Sequence, residues 1–405
     1  MRMTSNAWNA AVLAALLAPV AAEAGKPAPP PAPTFGLSVA QTKVGDSFGD
    51  TLYGGGGHNM ARVGTQLYVA YTVRDGPDGS YPVTVRLGRS PDGGLTWLSS
   101  LVVVHTTGIA EYGAALAIGP DPAGAGRYRI HVVYEWSSYP VADSLFYTSA
   151  TLDASTGNIG AFSSPVVISG AAYGGFSGEI AVAADGVGGV HAAYVATADG
   201  YGGTASGIVY SHSADYGASF AEAGLLVAPN GRFPSFAADA AGDVFLAYDS
   251  GAGSYVAKRA AGASAFASPV LATSTGGEDI TIACLDGDHV YLGWVWDSQA
   301  PQTTYHLARS TNGGATWSTT NGPSIGNCLF APSVAVSAGA VGIAWTDYCS
   351  FRGGFARSTD GGSSWSTPAV IPSMPWAANL LLDDAAKANI AFVGMTDAVY
   401  FTKEK

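Results

Sequence analysis

Arg232 opens the segment "GRFPSFAADAAGDVFLAYDSG" and Asp249 sits near its end, so a cation and a carboxylate flank two apolar stretches. The same arrangement recurs along the chain. His58 and Asn59 precede one apolar stretch, Glu111 and Tyr112 another, and Glu179, Glu278 and Asp279 two more. The stretches that follow run out into Arg74, into Glu135 and Trp136, into Trp296, or into Asp347 and Tyr348, with Arg352 just beyond. Brought together, these residues make a site dense in carboxylates, with a few cations and several aromatics. Carboxylates accept hydrogen bonds from hydroxyls, Trp and Tyr stack on rings, and Arg grips an anionic substituent. Such a set suits a hydroxyl-rich ligand, with stacking from Trp and Tyr. No P-loop, zinc-ligand spacing or Ser-His-Asp pattern occurs. "DGPDGS" at 75–80 could touch calcium but reads as a turn, and no cofactor is expected.

What brings these positions together is a repeat. A short apolar strand, an Asp/Gly turn and a second apolar strand recur at 58–72, 112–136, 178–195, 232–250, 278–297, 331–347 and 378–394. A third strand such as "YHLARS" or "GFARS" follows, and then a fourth such as "STPAVI". The spacing of roughly 40–60 residues fits the four-stranded blades of an all-β propeller. Seven units are counted; six remains open if one weak unit is an insertion. The last unit lacks an outer strand, which "FGLSVAQTKV" at 35–44 can supply, closing the ring and removing the sheet edges. In this topology the starts of first strands and the loops between second and third strands converge on one face of the ring. The candidates above occupy those positions. A carboxylate there can equally bond backbone N–H groups of its neighbours.

A second pattern falls between third and fourth strands: "RSPDGGLTW" at 89–97, "RSTNGGATW" at 309–317, "RSTDGGSSW" at 357–365 and a worn "HSADYGASF" at 212–220. A short Asp or Asn can accept the turn's own N–H groups, and Gly supplies the positive φ. The pattern resembles the Asp box of the sialidase/BNR-repeat propellers, and the resemblance covers essentially the whole chain after its leader. It assigns Asp92, Trp97, Asp215, Asn312, Trp317, Asp360 and Trp365 to architecture, on the face away from the active site. "GRFPSF" is similar to the family segment whose Arg binds the substrate carboxylate: Arg232 and Pro234 match, and Phe233 replaces Ile. The resemblance further implies companion arginines (Arg352, with Arg74 or Arg62), an acid/base Asp (Asp249) and a Tyr nucleophile (Tyr348), with Glu278 and His58 as further catalytic candidates. Two alternatives stand beside sialidase chemistry. A polysaccharide lyase acting on uronates would use His58, Tyr112 and Arg232. A non-catalytic propeller would only bind a glycan or a protein.

Residues 1–24 read as a secretory signal peptide ending in Ala22-Glu23-Ala24, 25–34 as a Pro-rich linker, and 35–405 as the propeller. A secreted monomer is expected, extracellular or periplasmic. Charged residues are only 12% and Gly numbers 54, which favours short strands and tight turns over solvent-facing helices. The formal charge of −12 argues against nucleic acid and anionic membranes. Export favours disulfides. Cys328 precedes the first strand of the sixth unit and Cys349 follows its second, so the two should pair, leaving Cys284 as a buried free thiol.

Overall fold

The computed structural model describes residues 42–46, 59–74, 83–105, 113–138, 141–169, 176–197, 205–275, 277–295, 304–324, 328–347, 349–372, 376–394 and 398–404. These form seven four-stranded antiparallel sheets, the blades of a seven-bladed propeller. Blades 1 to 6 span 60–105, 114–167, 176–229, 232–273, 278–324 and 329–372. Blade 7 takes three strands from Trp376–Leu382, Ala388–Val393 and Ala398–Lys403, and its outer strand from Thr42–Asp46. Thr42 lies opposite Phe401 and Asp46 opposite Ala398. The expected closure forms, with its strand at 42–46; residues 35–41 lie outside the described set.

The burial gradient explains the repeat seen in the sequence. Second strands such as Val244–Asp249, Val290–Val295 and Ala388–Val393 are buried throughout, because both of their faces pack on neighbouring blades. They therefore read as apolar runs rather than alternating ones. The outer strand Glu222–Pro229 mixes exposed and part-buried positions. The core is distributed as seven clusters, one between each pair of blades. Tyr71 and Phe401 join blades 7 and 1, and Phe245, Ile282 and Trp294 join blades 4 and 5. Each such buried aromatic or Ile side chain contributes about 1.5–3 kcal/mol. First strands line a narrow central channel with Phe236, Ile282, Val334 and Leu380, leaving a cavity of about 220 Å³. Cys284 is free and lines this channel. It is partly rather than fully buried, and burial, reinforced by nearby Asp239, pushes its thiol up to about 12.

All four Asp boxes share one hydrogen-bond frame. In blade 6, the Ser358 hydroxyl donates to Asp360 (2.8 Å) and accepts the Gly362 N–H (2.7 Å). Asp360 in turn accepts the Ser364 N–H (2.8 Å) and hydroxyl (2.6 Å). The worn copy keeps the whole frame through Ser213, Asp215, Gly217 and Ser219. In blade 5, Asn312 reverses one bond: its amide donates to Thr316 Oγ1 at 2.8 Å. In blades 1 and 3 two constraints select glycine at the fifth position of the frame. Gly94 and Gly217 have φ of 83° and 82°, and a Cβ there would overlap Phe401 and Tyr147 of the preceding blade. Trp97 also meets Phe401 edge-on at 5.4 Å and donates its indole N–H to Thr42 Oγ1 (3.2 Å), so the first box fastens the closing strand.

Blade 4 replaces this frame. Laid on "STDGGSSW" (358–365), "RAAGASAF" (259–266) has Arg259 in place of Ser358 and Ala261 in place of Asp360. Arg259 reaches back into blade 3, donating to Tyr210 Oη (2.9 Å) and Glu222 Oε2 (2.8 Å). Phe266 keeps the aromatic role, edge-on to Tyr210 at 5.0 Å.

Candidate functional site

Strand register fixes which residues share a face. Arg232 lies opposite Asp249, and Asp249 opposite Ser254, at one end of blade 4. The Asp-box turns lie at the other end, bonded to the turns between first and second strands: Gly93 N–H to Thr65 O, Gly313 N–H to Asp288 O. The face that gathers first-strand starts is thus opposite the boxes.

Arg232 is a cation built into that face. Its side chain is 48% exposed, while Asp249, 3.7 Å from Arg232 Nη2, is 3% exposed. Asp249 is itself fixed: one oxygen accepts the Gly251 N–H (2.7 Å), the other the Gly277 N–H (3.2 Å) at the entry to blade 5. The guanidinium also lies 5.3 Å from the Phe233 ring. A guanidinium held near a fixed carboxylate at one Nη and half open to solvent can still offer its remaining N–H groups to an anion.

The backbone beneath Arg232 is strained and supported. Phe233 has φ of 54°, in the left-handed region that a bulky residue avoids. Glu179 of blade 3 accepts its N–H at 2.6 Å. Asp279 (φ 53°) and Ala331 (φ 45°) follow the same path at the starts of blades 5 and 6, and Asp279 accepts the Ala331 N–H at 3.4 Å. Each first strand bulges there: pairing slips between Arg232 and Ser235, Glu278 and Thr281, and Phe330 and Ser333. Past each bulge a hydroxyl clasps the next blade. Ser235 accepts from Ile282 N–H (3.1 Å), Thr281 from Val334 N–H (3.5 Å) and Ser333 from Leu380 N–H (3.1 Å). Between blades 7 and 1 the Asn379 side chain accepts the Asn59 N–H at 3.1 Å, and Asn59 Nδ2 donates to Ala114 O of blade 2.

Three carboxylates proposed as ligand contacts or catalysts, Glu179, Asp249 and Asp279, therefore hold backbone N–H groups. Glu179, Asp249 and Asp279 link one blade to the next in doing so. Asp347 holds its own loop, accepting the Cys349 N–H (3.1 Å), the Ser350 N–H (3.3 Å) and the Ser350 hydroxyl (2.8 Å). The expected disulfide joins Cys328 and Cys349, with Cα atoms 5.5 Å apart, and Arg352 is exposed just beyond. With both sulfurs joined, the Cys328, Asp347 and Cys349 cluster offers no thiolate to a metal. His58, Glu111, Tyr112, Trp296, Tyr348 and the 75–80 segment lie outside the described residues. Arg74, Trp136 and Glu278 lie in strands, but their side chains are outside the described set. The structure thus brings Arg232, Asp249 and the Glu179–Phe233 support together. Sequence reasoning missed the left-handed backbone of Phe233 and the Ser235, Thr281 and Ser333 clasps. The recurrence of Pro-Ser in "RFPS" and "FAPS" was the available signal.

No family model and no curated protein matches the chain. Solved structures do. An ulvan lyase of a new polysaccharide lyase family superposes with a TM-score of 0.56 at 11% identity, over 89% of this chain and 95% of that one. The same lyase bound to -[GlcA(1-4)Rha3S]- gives 0.55 at 10% identity, over 89% and 95%. A Hadza microbial sialidase gives 0.48 at 10% identity, covering 90% of this chain and 66% of that one, just under two thirds of its length. The fold they share with this chain is the β-propeller. At these identities the likeness is one of architecture. Among the described residues, no helix is long and apolar enough to cross a membrane.

Proposed function

We propose that this propeller is an exported protein that binds an acidic glycan on the face carrying Arg232. The observation that carries the reading is the pairing of a half-exposed Arg232 with a buried, doubly bonded Asp249. A surface arginine with no partner samples many rotamers and gains little on binding. One already drawn to a fixed carboxylate at Nη2 and set beside the Phe233 ring loses less freedom when it closes on a carboxylate or sulfate. The overall charge of −12 makes this local cation selective, because the rest of the surface repels an anion that does not reach it. The ligand in the ulvan lyase structure, a glucuronate–rhamnose sulfate repeat, is of the same acidic class. Export is supported by the apolar leader ending in Ala22-Glu23-Ala24 and by the disulfide.

The test is calorimetric titration of the purified chain with galacturonate, glucuronate-containing, sialylated and neutral oligosaccharides. Binding should be confined to the acidic ones and weaken as salt is raised. Equal affinity for neutral sugars would overturn the reading. Ultraviolet absorbance during the same titrations reports the unsaturated product of a lyase, and free sialic acid reports a sialidase.

A further inference from the structure

Among the described residues, the exposed large hydrophobics are Leu and Val with one aromatic exception, Phe351, at 47% exposure. A single exposed apolar side chain is ordinary. Phe351 differs in its backbone and its neighbour. Its φ is 52°, so a bulky residue is held in the left-handed region. Three constraints keep it there. The disulfide ties Cys349, two residues upstream, to Cys328 at the entry of blade 6. The Asp347 carboxylate holds Cys349 and Ser350 from below. Arg352, immediately downstream, is locked into register opposite Asp347. The loop joins second and third strands, which puts it on the face shared with Arg232, and Arg352 is itself exposed.

We propose that Phe351 and Arg352 form a second sugar subsite. A pyranose ring lays its apolar C–H face on the Phe351 ring, while Arg352 takes a carboxylate or sulfate on that sugar or its neighbour. The subsite engages an oligosaccharide whose acidic end occupies Arg232. It rests on the acidic-glycan reading above. A rigid aromatic presented by a covalently clamped loop loses little entropy on binding, which is what such a platform requires.

The experiment compares acidic oligosaccharides (galacturonate, glucuronate-containing and sialylated) with their monosaccharides, titrated into the intact chain and its variants. Phe351→Gly relieves the positive φ while removing the ring, so it should melt at or above the wild-type temperature. It should nonetheless bind the oligomer about tenfold more weakly and the monosaccharide as wild type does. Phe351→Trp should retain oligomer affinity, and Arg352→Ala should lose selectivity for the acidic oligomer over a neutral one. Wild-type oligomer affinity in Phe351→Gly, with Arg232→Ala abolishing it, would sink the subsite and leave the reading at Arg232 standing. No binding of any acidic sugar by the wild type would sink both.

Discussion

Glu179 Oε2 accepts the Phe233 N–H at 2.6 Å, so a carboxylate of blade 3 supports the strained backbone next to Arg232 in blade 4. A residue expected at the ligand thus also holds the backbone beside Arg232, the cation proposed to meet the ligand. Glu179→Ala leaves that N–H without its partner and the positive φ without support. It should cost about 1–2 kcal/mol and weaken acidic-glycan binding, although Glu179 touches no ligand in this scheme. Glu179→Gln keeps an oxygen acceptor and should restore most of both. Melting curves and titrations of the pair check this, and binding lost equally in Glu179→Gln would make the charge itself a ligand contact.

The Asp boxes should behave in the opposite way. Asp360→Ala removes the acceptor of the Ser364 N–H and the partner of Ser358, costing about 1–2 kcal/mol with binding intact wherever the protein is folded. Asp360→Asn should be nearly neutral at pH 7, because Asn312 already fills that frame in blade 5. Loss of binding at full stability in Asp360→Ala would make the box a site.

Acid stability should fall in two windows. His131 is wholly buried against Tyr147, and burial, with Arg129 adding to it, pushes its imidazole down to about 3. His191 is lowered by burial too, and His212 falls to about 4 through burial, His191 and Arg259. Below pH ~6.5 the unfolded chain takes up protons that the native state refuses, so stability drops as pH falls. His131 alone accounts for about 2 kcal/mol by pH 5. In the boxes, burial would raise the carboxylates of Asp92, Asp215 and Asp360, but hydrogen bonds led by Thr96, Ser219 and Ser364 hold them below the usual range. Their contribution is present above pH ~4 and is lost as pH falls below it. His131→Gln should reduce the protons taken up on unfolding between pH 7 and 5 by about one. An unchanged slope would mean that His131 is not held neutral.

Joining Cys328 to Cys349 closes a short loop with a sequence separation of 21. The Cys328→Ser/Cys349→Ser double variant should lose about 3 kcal/mol, measured by denaturant unfolding. Reductant should lower the wild-type midpoint toward the variant's and leave the variant unchanged.

Architecture was legible in the sequence because it repeats. The seven units, the four boxes and the ring closure all show as spacing, and Cys328 and Cys349 follow once those spacings place blade 6. The closing strand, described at 42–46, has a register that the Trp97–Thr42 bond and Phe401 packing help set from elsewhere in the chain. The site was less legible because its partners are remote. Glu179 and Phe233 are 54 residues apart, and Asp279 and Ala331 are 52 apart. A carboxylate facing a ligand and one facing the next blade's N–H look identical in a single sequence. Arg259 was hidden for a related reason: it fills an Asp-box position with a residue the pattern does not contain.

The most direct measurement is the affinity of Arg232→Ala for an acidic oligosaccharide, taken with its melting temperature. A half-exposed cation contributes charge-assisted bonds to a ligand and little to the fold. Binding should fall by at least about tenfold, with the melting temperature nearly unchanged. Wild-type affinity for the acidic glycan in a stably folded Arg232→Ala chain would contradict the assignment of this face as the site.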